Sequence, residues 1–159
     1  MPEPTSGFPP WIRKSLPYVG DVFCSVDIDD WTLRIPDIGK LSGEDYLEMI
    51  VPCDGIEIPD QVLKTAHLVQ NNIQRIREVC LPLLIETSRG FIRDQEYARN
   101  PHRWLINWID FTEPTNPDSY KVIFFFDDYE DHGYMYLLWI VEMNGLEPLQ
   151  ATQSTWPSL

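Results

Sequence analysis

The sequence predicts an α+β domain in which one long helix packs across an antiparallel sheet. Three observations lead there. Period-two alternation recurs in short segments, one apolar stripe runs at helical spacing from near Pro59, and turn-forming clusters separate the C-terminal apolar runs. With 159 residues the chain fits a single domain and can bury a sizeable core. No linker or internal repeat divides it. The expected organisation is an extended N-terminal arm over residues 1–16, rich in proline and carrying Trp11 as an anchor, followed by one α+β domain over residues 17–159.

In chain order, Asp21 to Ile28 alternates Val22, Cys24, Val26 and Ile28 against Phe23, Ser25 and Asp27, the period of a strand. Asp29 and Asp30 turn into a second short strand, WTLRI, and EDYLEMIVP reads as a third. Pro59 suits a first helical turn, and Asp60 sits well beside the positive end of the helix dipole. Val62, Ala66, Val69, Ile73, Ile76, Cys80 and Leu83 then form one stripe over six turns, which predicts a single helix lying on the sheet. Pro82 lacks a backbone donor and is expected to kink or break that helix, which ends at Arg89-Gly90. RWLINWIDF, YKVIFFF and YMYLLWIV read as a β-meander, and a last strand, LEPLQAT, follows the Asn144-Gly145 turn.

Both faces of these last strands are apolar. Met135, Leu137, Trp139 and Val141 alternate with Tyr134, Tyr136, Leu138 and Ile140, and one helix covers one face only. The second face therefore needs the arm and loops, or a second copy of the chain in a homodimer.

Charge sets the functional classes. Twelve basic residues against 25 acidic ones give −13. Binding to nucleic acid depends on phosphate neutralisation by Lys and Arg, so no nucleic-acid partner is expected. The charge is uneven: residues 1–60 carry −8, residues 61–105 carry +3 and residues 106–159 carry −8. The longest apolar run, Tyr134 to Val141, is too short to span a membrane, which takes roughly 20 residues. The first residues, MPEPTSGFPPWIRK, lack the apolar core of a secretory signal. Cys24, Cys53 and Cys80 form no CxxC pair and argue against a disulfide framework, so a reduced cytoplasmic compartment is expected.

One stretch concentrates chemistry. Between VIFFF and YMYLLWIV the chain reads DDYEDHG, so Asp127, Asp128, Glu130, Asp131 and His132 could offer oxygen and nitrogen ligands to a divalent metal. The EF-hand spacing is absent, and only His67 and His102 remain to complete a zinc or iron site. The plainer reading is a hairpin turn, with Gly133 supplying the turn and the carboxylates in water. No GxGxxG, P-loop, HExxH or GxSxG sequence occurs, and no cofactor is implied.

The order of features, with PYVGDVFCSVDI, then Asp30-Trp31, the helix PDQVLKTAHLVQNNIQRI and the acidic turn, resembles bacterial domains of unknown function. Those domains share an E-x-H-G-like turn between their last long strands, here Asp128, Tyr129, Glu130, Asp131, His132 and Gly133. The resemblance spans Pro17 to Thr152 in element order. It implies a role beside toxins, as an immunity-type protein, and carries over no catalytic residue. The leading expectation is thus a non-enzymatic acidic protein that masks a basic, toxin-like partner. Its expected surface is Asp29, Asp30, Glu44, Asp45, Asp127, Asp128, Glu130 and Asp131, with Trp31 or Tyr129 as the desolvated anchor and His132 beside it. A small metal-dependent enzyme built on Asp127 to His132, and a structural homodimer subunit, are the alternatives.

Overall fold

The computed structural model describes residues 11–25, 30–36, 41–42, 46–52, 58–93, 95–112, 116, 118–127 and 137–155. Those residues form strands β1 (Trp11–Leu16), β2 (Gly20–Ser25), β3 (Asp30–Pro36) and β4 (Tyr46–Pro52). Helices α1 (Asp60–Gln70), α2 (Ile73–Ser88) and α3 (Gln95–Arg99) follow, then a single 3-10 turn at Pro101–Arg103. Strands β5 (Trp104–Asp110), β6 (Ser119–Phe126), β7 (Leu137–Asn144) and β8 (Glu147–Thr155) complete the order. β1 is formed by the last six residues of the segment read as an arm, and it pairs along its length with β2.

All eight strands join one sheet in chain order. The expected antiparallel sheet under one long helix is not what forms. β4 and β5 run parallel, with Met49 opposite Ile109 and Ile50 opposite Asp110, so the sheet is mixed. A parallel pair needs a crossover of at least a dozen residues, and the helical stretch between β4 and β5 supplies it. Alternation shows which face of a strand is buried, not which way its neighbour runs. That is why the direction was invisible in the pattern.

The single helix is also corrected. It breaks at Asn71-Asn72 and not at Pro82, which lies inside α2 on an exposed position. The two asparagines stop α1 by capturing its carbonyls: Asn71 Nδ2 donates to the His67 carbonyl at 3.0 Å, and Asn72 Nδ2 to that of Leu68 at 2.7 Å. Asn72 then takes a non-helical φ of −134° ahead of α2. Proline costs a helix one donor and crowds the preceding turn, but on the outer face water can take the freed carbonyl.

The helices cover the face carrying Tyr120, Val122, Phe124 and Phe126 of β6 and Trp139, Val141 and Met143 of β7, all buried. From α2, Ile76, Cys80 and Leu84 meet that face at spacings of four. Trp104 is its centre, edge-on to Trp139 at 4.9 Å and to Phe126 at 5.0 Å between ring centroids. Its indole N–H donates to the Ala98 carbonyl at 2.7 Å and so ties α3 to the sheet. On the opposite face, Ile123 and Leu138 are each only 2% exposed in the single chain. The centre of the second apolar face is therefore closed without a partner copy.

Candidate interaction surface

Charge divides between the elements and the segments that join them. The described strands and helices carry nine Lys and Arg residues and ten Asp and Glu residues, net −1. The rest of the sequence carries three basic and 15 acidic residues, net −12. Within the scaffold, charges find near partners: Arg13 with Asp21, Arg34 with Glu48, Lys64 with Asp60 and Arg89 with Glu86. These exposed pairs each contribute little, roughly 0–1 kcal/mol.

Of the residues expected to form the acidic surface, Trp31 and Asp127 are described, as is the backbone of Asp30. Asp29, Glu44, Asp45, Asp128, Tyr129, Glu130, Asp131 and His132 lie outside the described residues. Trp31 is half-buried against the core, with the Lys14 ammonium 5.8 Å from its ring centroid. It stands opposite Val51 of β4, and Phe111 N–H donates to the neighbouring Ile50 carbonyl. Asp127 follows β6 at the other end. There its N–H donates to the Arg103 carbonyl at 2.6 Å, just before β5 begins. From the level of Arg103 to that of Phe111 is eight residues, about 26 Å at about 3.3 Å per residue. The register thus sets Asp30-Trp31 and Asp127 toward opposite ends of the sheet, as two regions and not one.

Asp127 is held by Arg103, one of six arginines whose spread in the sequence suggests solvated surface and internal salt bridges. Arg103 Nη1 donates to the Asp127 carbonyl oxygen at 3.1 Å, and the guanidinium lies 4.2 Å from the Tyr97 ring centroid. Together with the Asp127 N–H bond, this grips the root of the β6–β7 connection from the end of the helical layer. Nothing in the local pattern marks Arg103, because its partners are brought by α3 and β6.

A second missed feature is the β1–β2 turn. Val19 N–H donates to the Pro17 carbonyl at 2.8 Å, and the intervening Tyr18 has φ 68°, a left-handed value rare for an aromatic residue. Its side chain is 47% exposed and donates to Asp60 at 3.3 Å, while Lys64 lies 5.7 Å from its ring centroid. Asp60, with Tyr18 beside it, holds the Lys64 ammonium above the ordinary lysine range. α1 thereby clasps the turn. The sequence signal was Pro17 followed by Gly20, a turn pair around Tyr18.

The metal site weighed from the sequence has no counterpart among the described residues. No group of three or more His, Cys, Asp and Glu comes together there. Cys80 sits 3.6 Å from the Met143 sulfur, and burial pushes its thiol up to about 12, so it stays protonated and unreactive near neutrality. Neighbouring Tyr120 is shifted the same way, by burial and then by Cys80, and its hydroxyl donates to the Gly145 carbonyl at 2.6 Å. No described helix is long and apolar enough to cross a membrane. Comparison with protein-family models, with curated proteins and with solved structures finds no match.

Proposed function

We propose that the chain is a non-enzymatic acidic binding protein whose partner presents a basic surface, as an immunity-type inhibitor of a basic toxin or effector does. One observation carries this reading: the described strands and helices are nearly neutral at −1, and −12 of the net −13 lies in the sequence outside them. Charge placed on connections is charge placed for contact and steering, because a sheet and helix layer at −1 does not need −12 more for its own folding. The β6–β7 connection is the favoured contact. It follows Asp127, whose backbone Arg103 fixes, and its sequence holds Asp128, Glu130 and Asp131 around Tyr129, a residue type suited to a desolvated anchor. Glu44 and Asp45 precede Tyr46, and Tyr46 begins β4 at that same end of the sheet.

The test compares two charge-neutralised variants against a partner retained from host lysate by the immobilised chain. Asp128→Asn/Glu130→Gln/Asp131→Asn should slow association by about tenfold or more at low salt and flatten its salt dependence. Asp27→Asn/Asp29→Asn/Asp30→Asn removes as much charge from the sequence leading into β3 and should have a much smaller effect. Equal effects would show a general field and no defined surface. Retention of no basic partner would sink the proposal.

A further inference from the structure

We infer that the junction between α1 and α2 is a pH-sensitive hinge, in which neutral His67 holds Asn71 as the stop of α1 and protonation of its ring releases it. The break interrupts a stripe that favours one continuous helix, since Val69 before it and Ile73 and Ile76 after it all pack into the same core. Polar contacts must therefore hold the break, and two side chains supply them. Asn72 Nδ2 bonds the Leu68 carbonyl, and neither group titrates. Asn71 is tied to a group that does. Its Nδ2 donates to the His67 carbonyl at 3.0 Å and also lies against the His67 ring, 3.2 Å from Nε2 and 3.5 Å from Nδ1. Residues four apart share one face of a helix, which brings ring and amide together.

The chemistry of the two acceptors sets the switch. A carbonyl oxygen only accepts, so it fixes the amide with its nitrogen inward. A neutral imidazole agrees, because in either tautomer one of its two nitrogens is an acceptor. An imidazolium donates at both, and no orientation of the amide then satisfies ring and carbonyl together. Rotation of the amide presents Oδ1 to the charged ring, and the His67 carbonyl keeps only the Asn71 backbone N–H, at 3.2 Å. Imidazole ordinarily changes charge between about pH 5 and 8, so the stop is set at the upper end of that range and released toward the lower. The surroundings leave this choice to Asn71. His67 is exposed in the last turn of α1, whose carbonyl end attracts a cation and keeps the charged ring in place. On its own helix the near charge is Lys64, which pairs with Asp60 at 3.3 Å. α2 has no acidic residue in its first turn, where the charge is the exposed Arg75. Among the described residues no salt bridge joins the ring to the sheet. Release loosens the last turn of α1, the helix whose Asp60 clasps the β1–β2 turn, and leaves α2 seated on the sheet by Ile76, Cys80 and Leu84.

Nuclear magnetic resonance of the full chain, taken from about pH 8 to about pH 5, tests the hinge. The Asn71 side-chain amide and the His67 carbonyl carbon should shift together with the His67 ring, at one midpoint, while resonances of β6 and β7 stay fixed. His67→Gln should abolish that movement. Asn71→Ala should hold the His67 carbonyl carbon near its acid position throughout, although the ring still titrates. Both side chains are exposed, so neither substitution removes core packing. A ring that titrates while the Asn71 amide stays still overturns the inference. So does movement that persists in His67→Gln, or movement shared by β6 and β7, which is general unfolding and not a local release.

Discussion

The halves β1–β4 and β5–β8 have equal numbers of strands and share one apolar core, but their strands are joined to different extents. From β5 to β8 the strands pair along nearly their whole length and carry a buried aromatic cluster of Trp104, Trp139, Phe124 and Phe126, roofed by α2. From β1 to β4 there are close-paired hairpins, yet among the described residues β2 meets β3 at one register pair, Phe23 with Thr32, and β4 meets β5 at two. Polar ties decorate this half: Arg13 with Asp21, Arg34 with Glu48, and Lys14 over Trp31. Burial of apolar area scales into several kcal/mol, whereas each exposed polar tie is worth a fraction of one. Stability should therefore reside in the C-terminal half, with the N-terminal half attached at the β4–β5 seam.

The largest effect should come from Trp104→Ala, at about 3–5 kcal/mol, since a fully buried indole leaves a cavity and strands the Ala98 carbonyl. Leu33→Ala in β3, where the residue is also buried, should cost about 2–3 kcal/mol. Chemical denaturation measures both. Equal losses would break the comparison, because the two halves would then draw on one evenly shared core.

Alkali should act on the C-terminal half, through Cys80 and Tyr120. Cys80 titrates ordinarily near 9.0 and is raised by burial to about 12 in the folded chain, so the native state holds a proton that the unfolded state gives up. Its contribution is complete below pH 9 and is lost as pH rises from 9 toward 12. The slope approaches about 1.4 kcal/mol per pH unit for one such group. Tyr120, also raised, adds a loss of the same sign above its ordinary value of 10. Unfolding free energies at a series of alkaline pH values should show this fall, and Cys80→Ala should flatten it. A flat profile in wild type would mean the pair is accessible to water and the half less tightly closed than its burial implies.

How much of this was legible in the sequence follows from which patterns are local. Apolar runs bounded by turn residues located the C-terminal strands, because run length and turn chemistry are written in each segment's own residues. Asn144-Gly145 marked the last turn, where Gly145 takes φ 58°. The parallel β4–β5 pair was not legible, since direction depends on where a crossover returns the chain. Nor was the break at Asn71-Asn72: the apolar stripe runs through it, and the side chains that end α1 are polar residues off the stripe. The acidic surface was legible as composition and not as place. Asp127 and Trp31 look like parts of one patch until the register sets them at opposite ends. Arg103 and Tyr18 gain their meaning only from α3, β6 and α1 folded against them.

The smallest expected effect probes the polar ties themselves. In the Arg13–Asp21 pair the side chains are 46% and 41% exposed, so water and salt screen most of the attraction, and ordering two long side chains offsets part of the rest. Arg13→Gln should cost less than about 0.5 kcal/mol at low ionic strength and nothing measurable in molar salt. The same substitution should leave hydrogen exchange in β6 and β7 unchanged, because neither strand pairs with β1. A loss above about 1 kcal/mol, persisting in salt, would mean the edge hairpin is coupled to the aromatic core through the seam. In that case the two halves unfold as one unit, and the difference between them is one of composition and not of strength.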